Sequence, residues 1–214
     1  IMSLIKYNNR SIKDLTTTPT AAGGGGTGAL VHIKTLTASS SATLSFVHGT
    51  DGVVLDSTYP IYKFEFINIH AATDDVYFTF QSSTNGGSAY GVAITSTAFR
   101  SEHYENGAAQ GLNYHTALDL AQGTAFQGLD AGEGIGNDAD QSLSGTLTLY
   151  NPSDTTFVKH FLARTQKYTA SNISNDSFIA GYFNTTSAID GVQFKMSSGN
   201  IDAGKIKLFG ILDA

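Results

Sequence analysis

Hydrophobic and polar residues alternate with a period of two along most of this 214-residue chain. The segment "IYKFEFINIH" places Tyr62, Phe64 and Phe66 on one side and Lys63 and Glu65 on the other. The same alternation returns in "SATLSFVH", "DVYFTFQ", "SLSGTLTLY", "TFVKHFLARTQKY" and "KIKLFGIL". Successive side chains of a β-strand point to opposite faces, so this pattern predicts strands with one buried face.

The predicted strands number about ten or eleven, with turn signals about every 8 to 15 residues. Between residues 101 and 127 the alternation weakens, and we interpret this region as an elaborated loop with a short helical turn near residues 117–121. The segment "FKMSSGNIDAGKIKLFGILDA" is predicted to form a hairpin. Together these features predict an all-β fold, an antiparallel β-sandwich, for which a jelly roll is the favoured topology.

Two of the predicted strands carry apolar side chains on both faces. "TFVKHFLAR" sets Phe161 and Ala163 against Val158 and Leu162, and "FIAGYFN" is apolar on both sides as well. An apolar outer face is expected to be covered, either by a loop or by another subunit.

The N-terminal region differs from the rest of the chain. Residues 1–20 are polar and are predicted to form an arm, and residues 29–214 are predicted to form the β-sandwich domain. Residues 21–28 are predicted to be a hinge, because they are rich in glycine: Gly23, Gly24, Gly25, Gly26 and Gly28.

Three of these glycines match G-x-G-x-x-G, but a dinucleotide site needs a strand before that motif and a helix after it. A polar arm precedes it here and a strand pattern follows, which favours the hinge.

The charge balance excludes some partners. Charged residues make up 14 % of the chain, against about 25 % in ordinary domains. The chain has 12 basic and 18 acidic residues and a net charge of −6, without a basic cluster. We therefore expect neither nucleic-acid binding nor membrane binding.

The chain has no cysteine, which excludes thiol catalysis and cysteine metal sites.

Motifs of catalysis are absent: the sequence contains no G-x-S-x-G, no H-E-x-x-H and no P-loop. No catalytic residue and no cofactor is expected. The segment "GLDAGEGIGNDADQS" carries Asp130, Glu133, Asp138 and Asp140, which are weak candidates for calcium ligands because Ca²⁺ favours several oxygen ligands on a flexible loop. Their spacing is not that of an EF-hand, and an ordinary acidic surface loop is the preferred interpretation.

Two histidines raise further hypotheses. His103 stands between Glu102 and Glu105 in "SEHYE", where a carboxylate–imidazole pair could hold a metal or transfer a proton. A solvated polar loop is the favoured alternative. His160 is predicted to have a structural role or to contact another subunit.

Several stretches together resemble a known group of proteins. They are "MSLIKYNNRSIKDLTT", "FEFINIHAATDDVYFTFQ", "DLAQGTAFQGL", "GNDADQSLSGTLTLYNPSDTTFVKHF" and "GYFNTTSAIDGVQFKMSSGNIDAGKIKLFGI". This set is similar to virion structural proteins of tailed bacteriophages, especially those of marine and cyanobacterial hosts. The resemblance implies a virion component on the capsid or the tail, assembled in the host cytoplasm, and it carries no established active site.

The sequence and the resemblance together lead to one main expectation. The protein is expected to be a non-enzymatic capsid decoration or cement protein, anchored through the arm with Lys6, Arg10 and Lys13, and to form a homotrimer. Its partners would be phage capsid or tail proteins. One alternative is a receptor- or glycan-binding module of a tail fibre or capsid surface, which would contact a host glycan through exposed tyrosines and Asn/Asp loops. A second alternative is a β-sandwich hydrolase, which would need carboxylates that converge in a cleft.

Overall fold

The computed structural model describes residues 30–212. The predicted arm, with Lys6, Arg10 and Lys13, and the predicted glycine hinge, residues 21–28, lie outside the described residues. Within residues 30–212 no helix is long and apolar enough to cross a membrane.

Residues 30–212 form thirteen β-strands and one 3₁₀ helix, Thr116–Leu118. The strands are β1 (Leu30–Thr37), β2 (Leu44–Val47), β3 (Ile61–Ala71), β4 (Phe78–Ser83), β5 (Ile94–Tyr104), β6 (Gln110–Tyr114), β7 (Ala121–Gly123), β8 (Gln127–Gly128), β9 (Leu143–Tyr150), β10 (Lys159–Tyr168), β11 (Ile173–Phe183), β12 (Gly191–Met196) and β13 (Ile201–Ile211).

These strands build two antiparallel sheets that pack against each other. The large sheet has the order β1-β13-β3-β9-β10-β11-β5-β6, with β7 paired to β5, and the small sheet has the order β2-β12-β4-β8. Every strand pairing between named strands is antiparallel. The predicted all-β sandwich is confirmed.

Several consecutive strands alternate between the large and the small sheet. Strands β1 and β3 lie in the large sheet and β2 and β4 in the small one, and the same switch occurs from β8 to β9 and from β12 to β13. The orders β1-β13-β3-β9 and β2-β12-β4-β8 are compatible with a jelly roll, which stays an interpretation. Strands β5, β6, β7, β10 and β11 extend the large sheet beyond this arrangement.

The predicted C-terminal hairpin is wrong. Strand β12 pairs with β2 and β4 in the small sheet, whereas β13 pairs with β1 and β3 in the large sheet. The turn between β12 and β13 therefore crosses from one sheet to the other. Strands joined by a hairpin and strands joined by a crossover show the same alternation, because both turn one apolar face to a common core.

The loop interpretation of residues 101–127 is also wrong in part. Strand β5 continues to Tyr104, and β6 and β7 follow it and pair with it. One short helical turn does lie near its predicted position, at Thr116–Leu118. Strand β6 lies at the edge of the sheet and four of its five residues are exposed, so it has no buried face to produce an alternating pattern.

A cluster of phenylalanine rings lies in the core between the sheets. The ring of Phe194 lies 5.2 Å from that of Phe64 and 5.4 Å from that of Phe66, and it stacks on Phe78 at 5.7 Å between centroids. All four side chains are buried. The inward orientation predicted for Tyr62, Phe64 and Phe66 is therefore confirmed.

Candidate interaction surface

The extended half of the large sheet carries an apolar outer face. In residues 30–212, four of the seven exposed large hydrophobic side chains lie there: Phe99, Leu112, Tyr114 and Leu162. We call the outward side chains of β9, β10, β11, β5 and β6 the Leu162 face. Its apolar members are Phe99, Leu112, Tyr114, Tyr150, Leu162, Phe178, Ala180 and Tyr182. This is the outer face that the two-faced strand patterns predicted.

Strand register aligns these side chains in rows across the sheet. Leu162 of β10 is opposite Ala180 of β11, and Ala180 is opposite Thr97 of β5. The next row contains Arg164, Phe178, Phe99 and Tyr114. Residues of one row lie on the same side of the sheet, because antiparallel neighbours directly opposite each other share a face. The sequence showed that β10 and β11 carry apolar side chains on both faces. That β5 and β6 also contribute side chains to the Leu162 face follows only from the strand register.

The row that begins at Arg164 forms a stacked ladder. The guanidinium carbon of Arg164 lies 4.8 Å from the centre of the Phe178 ring, and the Phe178 and Phe99 rings stack with 4.8 Å between centroids and 4° between planes. Arg164 also donates two hydrogen bonds to the Asp176 carboxylate, at 2.8 and 3.0 Å. The ladder therefore stacks a cation and two aromatic rings side by side, and Asp176 balances its charge.

Two depressions flank Leu162 on this face. One, of about 460 Å³, is lined by Tyr150, His160 and Tyr182. The other, of about 320 Å³, is lined by Thr148, Phe99 and Phe178. The small side chains that lie opposite Leu162 and in the next strand, Ala180 and Thr97, leave this space unfilled. Each depression can receive an apolar side chain or the face of a sugar ring.

The acidic segment predicted to be a surface loop is instead buried over its first part, whereas residues 137–140 are exposed. Residues 129–132 and 134–136 are buried between the sheets. Asp130 and Lys167 have no exposed side-chain area, and Lys167 Nζ lies 3.2 Å from Asp130 Oδ2. Lys167 also donates to the Glu133 carbonyl, and the Phe78 N–H donates to Asp130 Oδ1 at 3.1 Å. Burial raises the pKa of Asp130 to about 6, against the opposing effect of Lys167, and burial lowers the pKa of Lys167.

Polar side chains on the inner face of β10 and β11 bind the backbone of this buried segment. Thr165 donates to the Leu129 carbonyl at 2.5 Å, and Ser177 accepts the Ala131 N–H at 2.9 Å. These contacts pair groups that burial would otherwise leave unsatisfied. Sequence reasoning missed the burial, because a glycine-rich acidic stretch has the composition of a loop and its partners lie more than 30 residues away.

The structure does not bring the four candidate calcium ligands together. Asp130 binds Lys167, and the Glu133 carboxylate accepts a hydrogen bond from Thr169. Asp138 and Asp140 are exposed. Within residues 30–212 no group of three or more His, Asp or Glu side chains is placed to hold a metal ion.

The carboxylates of "SEHYE" are also separated. Glu102 lies on the inner side of β5, where Arg100 binds it at 2.8 Å, whereas exposed His103 lies on the outer side. Glu105 accepts a hydrogen bond from Tyr168 at 2.7 Å. The hypothesis of a carboxylate–imidazole site at His103 therefore has no support from the geometry. His160, by contrast, lies exposed on the Leu162 face.

Glycine at position 134 is expected to be required by the close packing of the buried segment. A Cβ atom there would collide with the backbone of Asp75 and Val76, and the Gly134 N–H donates to Asp75 Oδ1 at 2.8 Å. We expect Gly134→Ala to lower the free energy of unfolding by about 1–3 kcal/mol, measured by urea unfolding. Gly91→Ala is the control, because the nearest atom to its Cβ would be 4.0 Å away, and it should change stability by less than about 0.5 kcal/mol. Equal effects of the two variants would contradict this account.

Comparison of the chain with protein-family models, with curated proteins and with solved structures found no match.

Proposed function

We propose that this protein is a non-enzymatic structural protein of a tailed-bacteriophage virion, a capsid decoration or cement protein. Residues 2–20 contact the particle, and the sandwich domain is held through the Leu162 face by a neighbouring subunit. The observation that carries the proposal is the Leu162 face itself.

The composition of this face supports an interaction role. Phe99, Tyr114 and Leu162 are each at least 42 % exposed, on a chain in which charged residues are few. Contiguous apolar patches of this kind mark interaction sites on soluble proteins. The Phe178 and Phe99 rings are already stacked before a partner arrives, so their ordering adds little entropic cost to binding.

Two of the carboxylates that a β-sandwich hydrolase could use are held in ion pairs, which supports the non-enzymatic interpretation. Glu102 is engaged by Arg100. Asp130 is engaged by Lys167 and has no exposed area, so a substrate cannot reach it. Each therefore has a structural contact that accounts for its presence.

Cryo-electron microscopy of the source particle tests the proposal directly. Density for the sandwich at regular positions over the capsid lattice is the expected result, with residues 2–20 at the capsid surface. Density confined to the tail, or absence of the chain from purified virions, would contradict the decoration role.

Removing residues 2–20 is expected to abolish attachment to the particle and to leave the sandwich folded. The expected thermal midpoint is unchanged, because the glycines of residues 21–28 separate the arm from the first strand in sequence. Co-sedimentation with particles that lack the protein measures attachment, and circular dichroism measures folding. The triple variant Lys6→Ala/Arg10→Ala/Lys13→Ala tests whether the basic side chains of the arm contribute to attachment, and it should weaken attachment. Retained attachment of the deletion variant would contradict the anchoring role.

A glycan-binding function is the second candidate, and one observation favours it. The larger depression is bordered by Tyr150, His160 and Tyr182, which combine aromatic surface with polar atoms. Glycan-array binding that is lost in Tyr182→Ala would support this candidate. No binding by the wild-type protein would remove it.

A further inference from the structure

We infer that the subunit that covers the Leu162 face is a second copy of this chain, related to the first by a two-fold axis, with Leu162 of each copy seated in a depression of the other. This inference rests on the proposed role of the Leu162 face as a subunit contact. It adds the identity of the partner and the geometry of the contact.

The shape of the face is self-complementary. Leu162 projects from β10 with 51 % of its area exposed, and depressions of about 460 and 320 Å³ lie directly beside it. In a two-fold contact, residue i of one copy meets residue j of the other and the reverse contact forms at the same time. A projecting side chain with a receiving depression next to it on one face satisfies that condition.

The charges on the face permit two copies to approach. The chain has a net charge of −6, so two copies repel each other at long range. On the face itself Arg164 and Asp176 neutralise each other through two hydrogen bonds, and the neighbouring outward residues Thr97, Thr146 and Thr148 are uncharged. A contact centred on Leu162 therefore buries a charged pair that is already neutralised, and an unpaired charge there would oppose association.

The size of the face suits a stable pair. Five strands about 4.8 Å apart give a width of about 24 Å, and an average of about four outward residues per strand at about 6.6 Å spacing gives a length of about 26 Å. The projected area is roughly 600 Å². Side-chain relief brings the accessible area toward the about 800 Å² that each partner contributes in specific complexes.

The same geometry favours a two-fold dimer over the trimer expected from the sequence. A closed trimer is a head-to-tail ring, in which two different patches of each copy meet. Here Leu162 and the two depressions lie on the same sheet face. A two-fold axis brings this face against the same face of the second copy, so that one contact uses both.

Molar mass in solution tests the inference. We expect light scattering of the wild-type protein at micromolar concentrations to give twice the 22.6 kDa of one chain. Leu162→Asp and the milder Leu162→Thr should raise the dissociation constant at least tenfold. Phe157→Asp is the matched control, because Phe157 is 70 % exposed but lies in the loop before β10, and it should leave the pair intact. A monomeric wild type, a mass of three chains, or Leu162 variants that remain paired would each overturn the inference.

Cysteine cross-linking tests the seating of Leu162. The chain has no native cysteine, so introduced thiols report without background. Mixed Leu162→Cys and Ala180→Cys proteins should form a disulfide-linked pair under mild oxidation, and a mixture of Phe157→Cys and Ala180→Cys should not. Absence of the first cross-link in a dimeric protein would overturn this seating.

The outcomes are distinguishable from failure of the proposed function. Attachment to the virion is measured on particles and depends on residues 2–20, whereas pairing is measured on the purified protein. A monomer in solution that still decorates the capsid overturns the inference and leaves the proposed function standing.

Discussion

Asp130→Ala is expected to lower the free energy of unfolding by about 3–5 kcal/mol at pH 7. The Asp130 carboxylate lies 3.2 Å from Lys167 Nζ and accepts the Phe78 N–H at 3.1 Å, and neither charged side chain has exposed area. The variant leaves a buried ammonium group without its carboxylate and a buried N–H without its acceptor. Urea unfolding followed by circular dichroism measures the loss.

Lys63→Ala provides the matched control for this ion pair. Lys63 and Glu65 lie 2.9 Å apart, but each side chain is about 30 % exposed, so the cost should stay below about 1 kcal/mol. Lys167→Ala should lower the free energy of unfolding by a similar amount. The double variant should lose less stability than the sum of the two single variants, because each single variant removes the same Asp130–Lys167 interaction. A loss in Asp130→Ala no larger than that in Lys63→Ala would show that the buried pair is not needed for stability.

Phe194→Ala is expected to cost about 3–5 kcal/mol as well, through the cavity that it leaves between the sheets. The Phe194 ring contacts the buried rings of Phe64, Phe66 and Phe78 and has no exposed area. These rings come from both sheets, β3 in the large one and β4 in the small one, so the loss affects the contact that holds the sandwich together. Thermal and urea unfolding should both report it.

Phe157→Ala is the control for the loss of a phenyl ring. Phe157 is 70 % exposed, and its removal should change stability by less than about 0.5 kcal/mol. Phe194→Leu, which keeps most of the apolar volume, should fall between the two variants. If Phe194→Ala costs as little as Phe157→Ala, the core must close around the missing ring.

Much of the fold was predictable because alternation is a local property of the chain. The inward positions of Phe64, Phe78 and Phe161 follow from the period of two, since the pleat of a strand sends successive side chains to opposite faces. The outward Leu162 was visible for the same reason. Edge strand β6 was not, because a strand without a buried face has no pattern to read.

The sequence by itself determined the all-β class, the strands with one buried face and the presence of an apolar outer face. Only the tertiary structure decided which sheet each strand joins, because β12 and β13 turn equally apolar faces to one core from opposite sides. It also decided that residues 129–132 and 134–136 lie inside, since Thr165, Lys167 and Ser177, far away in sequence, pair polar groups of that segment. Burial of polar groups depends on such distant partners, and no local pattern records them.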